Sequence, residues 1–174
     1  MTRILRHACG AAFLTLMLST PALSQTLPPP ISPPISLSGP RVGFTVLSDG
    51  IVDTLKNDGL HIRPFVTQFG WQFEKRFYGG ANGLSAVTEC VVLAGGLEQG
   101  VLLPSLSWLV GLRTSKGVEF GVGPNVTPVG AALAFAAGTT FRSGALNFPV
   151  NLAVVPSKSG VRVSVLAGFN TRRR

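Results

Sequence analysis

From Arg41 onward, large apolar residues alternate with small or polar ones in one segment after another. Between Val129 and Phe141 the pattern is cleanest. Val129, Ala131, Leu133, Phe135, Ala137 and Phe141 occupy odd positions, with Gly130, Ala132, Ala134, Ala136 and Gly138 between them. A period of two sends alternate side chains to opposite faces of a pleated sheet, so the pattern predicts strands that separate two unlike environments.

The same alternation predicts a first strand over Arg41 to Leu47, with Val42, Phe44 and Val46 on one face. Ser48-Asp49-Gly50 is turn chemistry. Ile51, Val52 and Leu55 then recur at helical spacing until Asn57, Asp58 and Gly59 stop it, which predicts a short helix able to cap one end of a sheet or barrel. From Ile62 to Phe77, Phe65, Thr67, Phe69, Trp71, Phe73 and Phe77 oppose Gln68, Gly70, Gln72, Glu74 and Arg76. After the turn YGGAN, Leu84 to Leu93 reads as a strand in which the alternation blurs. Val101 to Arg113 sets Leu106, Trp108, Val110 and Leu112 against Ser105, Ser107, Gly111 and Arg113. Val118 to Asn125, Val129 to Arg142, Leu146 to Val154 and Val161 to Phe169 complete the series.

The chain is therefore expected to be all-β: an antiparallel up-and-down meander of about eight strands, with one short helix after the first. Short turns keep sequence neighbours adjacent in space. Closure into a barrel removes the two open edges that a flat meander would expose.

Alternation alone does not say which face points outward; the face opposite the apolar one decides. A solvent-facing surface normally carries many Lys and Glu. Here that face holds mainly Gly, Ala, Ser, Thr, Asn and Gln, and only 13% of the chain is charged. Small and neutral polar side chains with a few opposite charges suit the crowded lumen of a small barrel whose apolar face meets lipid. The expected lipid-facing set is Phe69, Trp71, Phe73, Trp108, Phe120, Phe135, Phe148 and Phe169. The expected lumen set is Glu74, Arg76, Arg113, Glu119, Arg142 and Arg162, in which the acids pair with the arginines. The alternative is a soluble periplasmic barrel or sandwich with the apolar face inward, binding a lipid or other apolar ligand.

Over about residues 41–169 the chain resembles the small outer-membrane β-barrel proteins of Gram-negative envelopes. The most specific match is VRVSVLAGF, whose alternate apolar residues end in the aromatic Phe169, similar to the C-terminal assembly signal of that class. The resemblance implies membrane lipid as a partner and recognition of the last strand by the barrel-assembly machinery. In this chain Asn170 to Arg174 follow the aromatic, and Tyr78 is the single tyrosine.

The N-terminus carries an address. Arg3 and Arg6 precede an apolar run from Ala8 to Leu18, and Ala22-Leu23-Ser24 offers small residues at the two positions a signal peptidase reads. Residues 1–24 are thus expected to be a secretory signal peptide, their apolar run being too short to span a bilayer. Residues 25–40, with six prolines and a repeated PPIS, read as a semi-rigid polyproline linker, and 41–174 as the barrel domain. Loss of Arg3 and Arg6 leaves 13 basic residues against 7 acidic ones. The excess favours anionic envelope surfaces; without a basic stripe interleaved with aromatics, nucleic acid is not an expected partner. Cys90 is then the one remaining cysteine, expected to be a buried, inert thiol, so no intrachain disulfide is expected.

No catalytic constellation is legible. His61 is expected at the surface. No group of residues has metal-ligand spacing, no Gly-x-Ser-x-Gly elbow occurs, and GVEFGVGPN lacks the lysine of a phosphate loop. The reading is a non-enzymatic, cofactor-free exported envelope barrel, most consistent with the outer membrane and a structural or surface-interaction role.

Overall fold

A computed structural model describes residues 37–80 and 83–171. The expected signal peptide, most of the linker and the terminal Arg172 to Arg174 lie outside the described residues.

The strands are β1 (Gly39–Leu47), β2 (Phe65–Gly79), β3 (Ser85–Gly95), β4 (Leu103–Arg113), β5 (Val118–Thr127), β6 (Gly130–Ser143), β7 (Leu146–Ser157) and β8 (Gly160–Gly168). Each pairs antiparallel with its sequence neighbour, and β1 also pairs with β8 from Arg41↔Gly168 to Leu47↔Arg162. Eight strands therefore form a closed antiparallel meander barrel, as the alternation predicts. A ninth strand, β9 (Asn170–Thr171), folds onto β7 opposite Asn147 and Leu146.

The helix α1 (Asp49–Asn57) follows β1. It ends where Gly59 takes φ +85, allowing the Gly59 and Leu60 amides to donate to the carbonyls of Lys56 and Leu55. Ile51, Val52 and Leu55 are its buried face, packed with Leu47, Ile62 and Val66 and against Val101, Leu103 and Val129. Those contacts come from several sides of the barrel, so α1 lies across one mouth. Ser48 ties it to the wall: its hydroxyl accepts from the Val161 amide at 2.9 Å. Gly160 at φ +137 leaves room for that oxygen, which a Cβ would strike.

Two boundaries differ from the sequence reading. β1 begins two residues before Arg41, and Leu37 ahead of it is fully buried, because its carbonyl accepts from Arg41 Nη2 at 2.7 Å inside the barrel. β2 begins at Phe65 rather than Ile62. Pro64 has no amide to donate, and its carbonyl instead accepts from Leu47, which frees Ile62 for the cap cluster.

Candidate functional site

The wall of the barrel has two opposite faces. Along β2, Phe65, Phe69, Trp71, Phe73 and Phe77 point outward and are about half exposed, while Val66 and Gln72 between them are buried. All eight aromatic residues expected on the apolar face lie on the outside of the barrel, from Phe148 at 39% exposed to Phe120 at 61%. Among outward positions of the eight strands, the one charged residue is Lys75, near the end of β2. Even the polar atoms there are satisfied locally: Trp108 Nε1 donates to Thr88 Oγ1 at 3.0 Å, and that hydroxyl donates to the Leu109 carbonyl. Trp71 and Phe73 are tilted neighbours, and Phe44 stacks on Phe65 with ring centroids 5.1 Å apart.

The inner face is built by strand register. Pairing of β2 with β3 sets Glu74 opposite Glu89, and pairing of β4 with β5 sets Arg113 opposite Glu119. Arg113 consequently points into a group of three carboxylates. Its Nη1 and Nη2 donate to the two oxygens of Glu74 at 2.6 and 2.5 Å, and its Nε and Nη2 donate to Glu119 Oε2 at 2.8 and 2.5 Å. Glu89 Oε1 lies 3.6 Å from Nη2. Asn151, reaching in from β7, donates to the other Glu119 oxygen at 2.9 Å. The small residues of β6 make this possible. A Cβ on Gly138 would sit 2.9 Å from both Glu119 Oε1 and the Asn151 side chain. Such fully used guanidinium donors are what a buried ion cluster requires, since an uncompensated interior charge is strongly destabilising.

Further polar groups continue the column. Arg41 donates through Nε to Gln72 at 3.0 Å, and Thr45 bridges Gln68 and Ser164. Toward α1, Arg162 donates to Asn125 Oδ1 at 2.9 Å and to the Thr127 hydroxyl, while Asn125 donates to Ser105 and Ser107. Between these polar tiers Val91, Leu93 and Leu166 form one apolar cluster and Leu109, Ala134 and Val155 another. A cavity of about 90 Å³ runs from the α1 cap down to Glu89, room for several waters. Gln72 Nε2 and Arg162 Nε, both buried, have no protein partner, and both residues line this space.

Of the six charged residues expected in the lumen, Glu74, Arg113 and Glu119 come together. Arg162 belongs to a separate cluster with amide and hydroxyl partners and no acid. Arg76 is half-buried at the mouth opposite α1, beside an irregularity in β2 between Arg76 and Tyr78. Arg142 is exposed on the same rim, so it pairs with neither expected acid. Glu89, Arg41 and Asn125 were missed. Glu89 lies in TECVVLAGG, where apolar residues occupy both parities, and the register that sets it opposite Glu74 includes an irregularity between Arg76 and Tyr78 that parity does not show. Cys90 corrects another expectation. It points outward between Phe73 and Trp108 in the register and is partly exposed rather than buried, because Glu89 claims the inward position.

The carboxylate oxygens of Glu74, Glu89 and Glu119 approach within 4.8 Å of one another, a spacing that could serve a hard cation. Arg113 already donates to the oxygens such an ion would use, so the positive charge of this cluster is supplied by the chain itself. Its chemistry is that of a clamp joining β2, β3, β4 and β5, with Asn151 extending it to β7. No protein-family model, curated protein or solved structure matches the chain.

Proposed function

We propose that this chain is an exported cell-envelope barrel seated in the outer membrane, with a structural or surface-interaction role and no catalysis. The observation that carries the reading is the charge-poor apolar wall around the whole barrel. In water such a surface exceeds what a monomeric soluble protein exposes; in a bilayer it is the required one. Dimensions agree: the 11 residues of β3 or β4, tilted as barrel strands are, span roughly 25 Å, the height of an outer-membrane apolar band. The N-terminal address and the apolar last strand ending near Phe169 supply the route, through export and then the barrel-assembly machinery. The lumen, clamped by ions and capped by α1, favours a scaffold or surface module over a solute pore.

Fractionation of tagged protein tests this. The expected result is recovery with outer membranes and slower gel migration after boiling. A monodisperse monomer in the periplasmic fraction, stable without detergent, would overturn it.

A further inference from the structure

The seven acidic residues are distributed unevenly over the barrel. Glu74, Glu89 and Glu119 are in the lumen, and the other four, Asp49, Asp53, Asp58 and Glu98, all lie at the end capped by α1. That end also carries Lys56, Arg63 and Lys158, and Lys56 sits 3.6 Å from Asp53. Its charges nearly cancel. The opposite end, where β1 begins at Gly39 and β9 ends at Thr171, carries Lys75, Arg76, Lys116 and Arg142 and, among the described residues, no carboxylate on its rim. Among the described residues, none of these four forms an ion pair. Three further arginines follow Thr171 in the sequence.

Lys75 and Arg142 border the apolar wall, Lys116 is exposed in the turn between β4 and β5, and Arg76 is half-buried at the mouth. Lys75 stands on the outward parity of β2 between Phe73 and Phe77, with the exposed Tyr78 beside it, and Arg142 follows the exposed Phe141. Long basic side chains lying along apolar surface with their charge at its edge, next to an amphipathic ring, are the arrangement of a membrane interface. We propose that this rim, at the end where β1 begins and β8 ends, binds the headgroups of anionic phospholipids. The inference rests on the membrane reading above and adds to it a side and a lipid charge. The cations are spread around the border rather than gathered in a concave site, which fits a layer of headgroups and not a single free phosphate.

The test uses purified protein reconstituted into vesicles of phosphatidylcholine, with or without phosphatidylglycerol. The thermal unfolding midpoint, read by heat-dependent gel migration, is expected to be several degrees higher with the anionic lipid at low salt. That difference should vanish in about 0.5 M salt, where screening acts within a few ångströms. The combined variant Lys75→Gln, Arg76→Gln, Lys116→Gln, Arg142→Gln should lose most of it, whereas Lys56→Gln, Arg63→Gln, Lys158→Gln at the other end should keep it. Equal midpoints for the unaltered protein in the two vesicles overturn the lipid proposal and leave the membrane reading standing. Failure to float with either vesicle overturns both. The salt dependence needs no variant, so poor folding of a substituted chain does not remove the test.

Discussion

On β6 the two faces of the wall differ most sharply: Phe135 is 50% exposed on the outside, and Ala134 next to it is 2% exposed within. The outside carries Leu133, Phe135 and Phe141; the inside of the same strand is nearly all Ala, Gly and Thr. Size explains the contrast as much as polarity does. Eight strands enclose little space, so wherever Arg113, Glu119 or Arg162 enters the lumen, a neighbouring strand must present almost nothing. Gly138 beside Glu119 is the clearest case. Outside there is no such limit, and a position there can carry bulk without displacing a neighbouring strand.

The inner half of this comparison breaks most severely at Arg113. Arg113→Ala leaves three carboxylates facing one another and is expected to cost about 3–5 kcal/mol, the usual penalty for an uncompensated buried charge. Urea unfolding in detergent measures it. If the cluster is the cause, adding Glu74→Gln and Glu119→Gln to Arg113→Ala should restore much of the loss. A mild effect of Arg113→Ala alone would mean the lumen is wetter than its packing implies.

The outer half is tested by Phe135→Arg, which sets a cation in the middle of the apolar wall. In a bilayer this should cost roughly 2–4 kcal/mol and block assembly. In a barrel surrounded by water, an exposed Phe to Arg exchange would be nearly neutral, as surface substitutions usually are. The pair of outcomes therefore separates the two habitats. Unchanged heat-dependent migration of the variant from cells would count against lipid outside. A smaller, kinetic effect is expected at Phe169, exposed just beyond β8: Phe169→Ala should slow assembly without altering the final fold, read by pulse-labelling of the folded form.

Much of this architecture was legible because the period of two is strict wherever the outside is bulky and the inside small. The strand number, the helix after β1 and the outward parity of Trp71 or Phe135 all follow from that rule. It failed where size no longer separated the faces. In β3, Val87, Val91 and Leu93 point inward while Cys90 and Val92 point outward, so parity alone concealed Glu89. Arg142 differs for another reason: β6 runs past the end of the lumen, and a residue of inward parity there is exposed on the rim. The alternation sets Arg41 at the start of a strand, and nothing local shows that Gln72, 31 positions away, receives it.

The faintest expected effect lies at the balanced end, outside the apolar band, where a carboxylate ties a loop to the wall. Glu98, in the short 3-10 turn Leu97–Gln99, accepts from the Thr67 amide at 2.9 Å and from its hydroxyl at 2.5 Å. The Thr67 hydroxyl bond, with smaller help from the amide and Gln99, holds the Glu98 carboxyl down at about 2. A lowered value means the charged form is the one the fold favours. The tie is therefore complete above the ordinary carboxylate range near 4.5 and is lost as pH falls toward 2. Because Glu98 is exposed, solvent screening keeps the contribution small. Hydrogen exchange at the Thr67 amide should quicken over that interval relative to amides of the β3–β4 ladder. Glu98→Gln should remove the acid dependence while keeping partial protection, since its amide oxygen still accepts. An unchanged acid response in that variant would assign the titration to another group.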